Sequence, residues 1–177
     1  MHSTQSVERG DMTASDLIRE SFQAMLDRLT AAEEELGKLD AAAGDGDHGT
    51  GMTRGMRAAV AALEAAPLET PVPQLFMQAG SAFSDAAGGS SGALYGMMIM
   101  TIGQKIGAEP SRFSLATALA AGRDAVARLG KAKVGDKTLL DTLDPFVAAF
   151  VAQVDANADL VTGWQAALPA ARWPVSP

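Results

Sequence analysis

Apolar residues recur along this 177-residue chain at helical spacing, and no run of alternating β-branched residues interrupts them. That pattern leaves layers of amphipathic helices as the architecture. Aromatic residues supply only 5% of the chain against 47% hydrophobic overall, so the core has to be built mainly from Ala, Leu, Val and Met, a composition that favours helix. Ile18, Phe22, Met25, Leu29 and Leu36 define the inner face of a first helix that opens at Thr13 or Ser15 and ends near Gly37. Met52, Met56, Val60 and Leu63 define a second, stopped by Pro67. Pro71 and Pro73 introduce a third, with Leu75, Phe76, Ala79 and Phe83 inward and its end at Ala87. An apolar helix over 93–106 follows, then a fifth with Leu115, Leu119, Val126 and Leu129 on one face, closing at Gly130. A sixth carries Leu143, Val147, Phe150 and Val154 with Pro145 in its early turns, and a seventh over 158–171 carries Val161, Trp164 and Leu168. The expected fold is all-α: an antiparallel bundle of about seven amphipathic helices forming one domain over residues 13–177, with residues 1–12 a flexible tail.

The junction between the first two helices concentrates charge. Asp40, Asp45 and Asp47 fall within eight positions, with Gly44 and Gly46 among them and Gly49 and Gly51 just after. Carboxylates held this close repel one another unless a cation neutralises them, and an all-oxygen, cysteine-free donor set completed by water or phosphate oxygens suits Mg²⁺. An EF-hand is excluded, because the twelfth position is Met56 counted from Asp45 and Gly51 counted from Asp40, where that loop needs Glu. The exposed amides at the start of the second helix, near Gly49 to Thr53, face the same junction and favour an anion. A second glycine-rich turn, Gly88-Gly89-Ser90-Ser91-Gly92, opens the fourth helix and offers another cradle for phosphate oxygens. It lacks the Gly-Lys-Ser/Thr ending of a P-loop. Ser90 and Ser91 also read as ordinary N-caps, and His48 as a phosphate hydrogen-bond donor, a capping residue or a general base, the first preferred. Lys131, Lys133 and Lys137 mark a third polar loop.

A net charge of −7 and a pI near 4.7 argue against a nucleic-acid partner. The N-terminal residues show no secretory signal, and the most apolar stretch, residues 93–106, is shorter than the roughly twenty residues a membrane span needs. The absence of cysteine fits a cytoplasmic protein.

Three motifs occur together and in order: Asp40-x4-Asp45-Gly-Asp47-His48-Gly49, then Gly88-Gly89-Ser90-Ser91-Gly92, then Gly130-Lys131 followed by residues 135–141, Gly-Asp-Lys-Thr-Leu-Leu-Asp. In this the chain resembles the L subunit of dihydroxyacetone kinases over about residues 17–155. The resemblance implies a helical barrel with a nucleotide at one end. It implies Asp40, Asp45 and Asp47 as ligands of two Mg²⁺ ions, and His48, Gly49, Thr50, Gly51, Ser90 and Ser91 as contacts to the phosphates of ADP or ATP. Gly130 and Leu139 match positions lining the nucleotide's other end. The ketose would sit on a separate sugar-binding kinase subunit. The phosphoryl donor would be ATP in one branch of the family and a phosphotransferase-system protein recharging bound ADP in the other, the second being the expectation for a short separate chain. The family's eighth helix, with its Gly-Arg-Ala and Gly-x-x-Asp-Pro-Gly-Ala segments, has no counterpart before Pro177, so an apolar wall is expected to lie open to a partner or to a second copy. The competing expectation is a non-catalytic, kinase-like interaction module or a truncated product with impaired nucleotide binding.

Overall fold

The computed structural model describes residues 12–172, and all regular structure among them is helical. The tail expected over residues 1–12 falls outside this range except for Met12, as do the prolines at 174 and 177. Seven α-helices follow in order: α1 (Ala14–Asp40), α2 (His48–Ala65), α3 (Val72–Ala87), α4 (Gly89–Ile106), α5 (Arg112–Gly130), α6 (Leu140–Asp155) and α7 (Leu160–Ala167), the last continued by a 3₁₀ turn over Leu168–Ala171.

Side-chain caps open α1, α5 and α7. Thr13 accepts the Asp16 amide through its hydroxyl at 3.1 Å, and the Asp16 carboxylate accepts the Thr13 amide at 3.0 Å, a reciprocal box that opens α1. Ser111 and Ser114 do the same for α5 at 3.1 and 2.8 Å. Two expected boundaries move. Gly37 does not stop α1, which runs on to Asp40, because the α1 backbone there is covered by the next segment: a Cβ at Gly37 would lie 3.1 Å from the Gly46 carbonyl. The fourth helix begins at Gly89 rather than at residue 93, since Gly88 reverses the chain in one step with φ at 70° and Ser90 and Ser91 already lie in the first turn. Neither serine is therefore an N-cap. The seventh helix is likewise shorter than expected, its last turn tightening to 3₁₀ at Pro169.

Packing runs in chain order: α1 on α2, α2 on α3, α3 on α4, α4 on α5, α5 on α6, and α6 on α7 with its 3₁₀ turn. Between α3 and α4 the backbones touch, because Gly80 and Gly96 face one another and a Cβ on either would come within 2.9 Å of the other's carbonyl. One core lies among α1 to α4, around Phe22, Met52, Met56, Leu63, Leu75 and Phe83. A second joins Ala116 of α5 to Phe146, Val147, Phe150 and Val154 of α6 and Ala167 of α7, and Val72, Ile102, Ile106 and Ala118 form a smaller one. Trp164 meets the Phe146 and Phe150 rings edge-on at 4.9 and 5.6 Å.

Several residues expected inside are not. Met25, Leu129, Val161 and Leu168 are exposed, and Trp164 keeps 38% of its surface in solvent despite its aromatic contacts. Apolar spacing identifies a face, but burial needs a neighbour on that side. Helix α7 stands at the end of the series, so only its small residues Gly163 and Ala167 are covered. Among the described residues α1 and α7 share no packing comparable to that between consecutive helices, and none of the helices is long and apolar enough to cross a membrane.

Candidate functional site

Antiparallel order brings the C-terminal end of α1, the start of α2, the α3–α4 turn and the end of α5 to one rim of the molecule. Asp40 is the last residue of α1, and Asp45 and Asp47 lie in the connection to α2. One carboxylate oxygen from each of the three lies within 4.8 Å of the others. The three are not equivalent. The Asp40 carboxylate is half-buried and accepts the Gly46 amide at 3.0 Å and the His48 amide at 3.4 Å, so it also serves the first exposed amide of α2 in place of an N-cap side chain. Asp45 and Asp47 are exposed, and the only bond involving their carboxylates is a 3.4 Å one from the Asp47 amide to Asp45 Oδ1. The nearby cations are engaged elsewhere: Lys38 pairs with Glu34 at 2.6 Å, and Arg54 binds the end of α3. Three hard oxygen donors without a protein counter-charge fit a divalent cation such as Mg²⁺.

The two glycine-rich motifs meet beside this trio. His48 Nδ1 and Ser91 Oγ are 3.4 Å apart, which sets the start of α2 against the start of α4. Gly51 faces the end of α3, where a Cβ would lie 3.7 Å from the Ala87 carbonyl. Gly49 is buried against α1, and a Cβ there would lie 2.1 Å from the Glu33 carbonyl. Thr50 is exposed and donates to Glu33 at 3.3 Å. Both helix starts direct free amides, and the positive ends of their macrodipoles, at the same place. His48 is not a cap: Asp47 occupies the N-cap position and makes no capping bond. Gly130 joins the rim from α5, a Cβ there lying 3.5 Å from Leu94 of the α4 first turns, while Leu139 heads α6 across the 131–139 loop.

Two residues of the rim carry no sign of their role in the sequence. Arg54 forks onto the last carbonyls of α3, donating from Nε to Ala86 at 2.7 Å and from Nη2 to Ala87 at 2.9 Å. Asp141, only 4% exposed, folds the third polar loop by accepting the Gly135 and Thr138 amides, each at 2.6 Å. Those amides, Gly135 first, hold its carboxyl below the usual carboxylate range. In the unfolded chain Asp141 titrates in the ordinary range. Its stabilising share is therefore complete above that range and is lost as pH falls through the lower folded value. Asp141→Asn is expected to be less stable than the parent in urea melts at neutral pH, with the gap closing in acid. A gap that stays constant in acid would assign the loss to side-chain shape and not to charge.

The DAK2 domain family matches residues 42–175. The chain is 39% identical over 154 residues to a D-erythrulose kinase of Mycolicibacterium smegmatis, covering 85% of this chain and 27% of that protein. It is 38% identical to an L-erythrulose kinase of Pectobacterium atrosepticum, with 90% and 28% covered. It therefore spans little more than a quarter of these relatives. Against the ADP-binding subunit DhaL of the PEP-dependent dihydroxyacetone kinase 1 of Listeria innocua, identity is 32%, over 76% of this chain and 68% of that subunit. Among solved structures, the native dihydroxyacetone kinase of C. freundii superposes with a TM-score of 0.72 at 28% identity, over 96% of this chain and 30% of that one. The same enzyme in complex with AMP-PNP and Mg²⁺ superposes at 0.67 with 28% identity, over 96% and 31%.

Proposed function

This chain belongs to the DAK2 domain family, and on that premise we propose that it is the nucleotide-binding part of a short-ketose kinase, one domain over residues 13–177 that presents a magnesium-bound ADP or ATP to a ketose held on a partner subunit. The observation that carries the reading is the convergence of three carboxylates and two helix starts on one rim, with His48 and Ser91 3.4 Å apart. Asp40, Asp45 and Asp47 would hold Mg²⁺, two ions in the fullest form of the site. His48, Gly49, Thr50 and Gly51, with Ser90 and Ser91, would contact the phosphate oxygens, the amides of Gly49 and Thr50 being the ones free to donate. Gly130 and Leu139 would line the far end of the nucleotide.

When bound, Mg²⁺ supplies neutralisation of phosphate charge. The chain's own share is positioning: fixed amides and helix ends are already oriented towards charge, so they need no reorganisation during transfer. No side chain of the rim needs to act as a nucleophile. The ketose would ride on the partner, and this chain would bind no sugar alone. The phosphoryl donor would be ATP, or a phosphotransferase-system protein that recharges bound ADP; the Listeria relative is named as the ADP-binding subunit of a PEP-dependent kinase. The uncovered outer face of α7 suits a partner or a second copy, and the setting we assign is the cytoplasm.

Calorimetric titration with Mg²⁺ and ADP tests the reading. Heat that requires both components is expected. No heat with either ADP or ATP would leave a kinase-like interaction module as the better description. Mixing the chain with a ketose-binding subunit and each donor in turn would then identify the donor.

A further inference from the structure

Two arginines each reach from one helix onto the C-terminal carbonyls of the next. Arg19 of α1 donates to the Ala66 and Pro67 carbonyls, at 3.2 and 3.1 Å, beyond the end of α2. Arg54 of α2 donates to Ala86 and Ala87, at 2.7 and 2.9 Å, at the end of α3. The chemistry is related: Arg54 forks through Nε and Nη2 onto the last two carbonyls of α3, whereas Arg19 reaches through Nη2 alone to two carbonyls just past α2, and each guanidinium offsets the negative end of a helix dipole. Their surroundings differ. Arg19 works at the rim away from the acidic junction, whereas the carbonyls held by Arg54 immediately precede Gly88 and the start of α4.

That second location has consequences for an anion. Residues 86 and 87 are the last before the reversal at Gly88 and Gly89, both at positive φ and both with open space around them, so the turn has no side-chain packing of its own to hold it. Its register against α2 rests on Arg54, on Gly55 packed against Ala87 and Phe83, and on the 3.4 Å approach of Ser91 to His48. The end of α3 also presents a negative dipole beside the place where two helix starts invite a phosphate.

We propose that Arg54 is a positioning residue for the phosphate cradle: it fixes the α3–α4 turn so that the starts of α2 and α4 face one anion, and it masks the negative end of α3 from that anion. This rests on the nucleotide-binding reading above. Arg19 provides an internal control, being a guanidinium bound to carbonyls at a helix end away from the rim.

The test compares Arg54→Met, Arg54→Lys and Arg19→Met in the full chain. Three quantities are measured: thermal midpoint, amide hydrogen exchange of residues 88–92 without nucleotide, and affinity for ADP with Mg²⁺. For Arg54→Met, exchange in the turn is expected to quicken and ADP affinity to weaken, each by about tenfold. Arg54→Lys, which keeps the charge but not the fork, should fall between. Arg19→Met should lower the midpoint while leaving both other readouts at parent values. The proposal is overturned if Arg54→Met leaves exchange and affinity within about twofold of the parent. It is equally overturned if Arg19→Met weakens ADP binding as much as Arg54→Met, since general destabilisation would then account for both. Should the parent chain bind no nucleotide, the functional reading fails separately, and exchange in the turn alone decides whether Arg54 holds it. If Arg54→Met does not fold, Arg54→Lys carries the same comparison.

Discussion

Alanine at both Asp45 and Asp47 is expected to abolish magnesium-dependent ADP binding while leaving the helices folded and the nucleotide-free protein as stable as before or slightly more so. The two carboxylates are exposed and make a single 3.4 Å bond between them and the backbone, so removing them strips almost nothing from the fold. What it does remove is mutual repulsion: unit charges 4.8 Å apart cost roughly 1 kcal/mol per pair at the dielectric of water. The loss of binding should exceed the roughly 10- to 100-fold that follows loss of a residue merely supporting a metal ligand, because two of three ligands disappear. Asp40→Ala should behave differently. It takes away the acceptor for the Gly46 and His48 amides as well, and should cost on the order of 1 kcal/mol of stability in addition to binding. Calorimetry with Mg²⁺ and ADP, paired with thermal melts, separates the two cases. Parent-like affinity in the double variant would refute the metal assignment.

The second large effect concerns Gly49. A methyl group there would lie 2.1 Å from the Glu33 carbonyl oxygen, 3.0 Å from the Glu33 carbonyl carbon and 3.1 Å from the Gly37 amide nitrogen. All three are backbone atoms in the C-terminal turns of α1, and none can swing aside as a side chain would. Gly49→Ala must therefore push the start of α2 away from α1, at a cost at or above the upper end of the roughly 1–3 kcal/mol typical of overpacking. The same displacement separates His48 from Ser91 and should remove nucleotide binding. Gly51→Ala is the contrast, since its Cβ meets nothing closer than the Ala87 carbonyl at 3.7 Å. Alanine inside a helix is favoured over glycine by about 1 kcal/mol, so Gly51→Ala should fold as well as the parent or better. Any loss of ADP affinity in that variant then reports on how closely a phosphate approaches the backbone. Urea titrations of the two variants check the ordering, and equal stability would contradict the tight α1–α2 crossing.

Much of this was visible in the residues themselves. Proline and glycine mark the ends of α2, α3 and α5, and apolar spacing identifies the faces of the inner helices because each has a neighbour on that side. The acidic trio could be read as a cluster because three Asp share one short glycine-laced connection, and one carboxylate oxygen of each lies within 4.8 Å of the others. The start of α4 departs from the expected one because Gly-Gly-Ser-Ser has the composition of a loop, whereas Gly88 and Gly89 alone turn the chain and the serines already lie in the first turn. Leu129, Val161 and Leu168 follow the helical period, yet nothing covers them among the described residues. The contacts of Arg54 and Asp141 could not be read for another reason, although Asp141 closes the third motif. Their partners are backbone atoms, Arg54's lying 32 and 33 residues further along the chain, and a main-chain carbonyl or amide leaves no letter in a sequence.

Because every helix leans on the one synthesised just before it, the molecule can be assembled by successive short closures. Each hairpin shuts a modest length of chain at a small entropic penalty, the situation associated with rapid folding. Damage in such a serial stack should remain local, so that loosening α7 at the end of the series exposes the Phe146–Phe150 layer and leaves the acidic rim beside α1 intact.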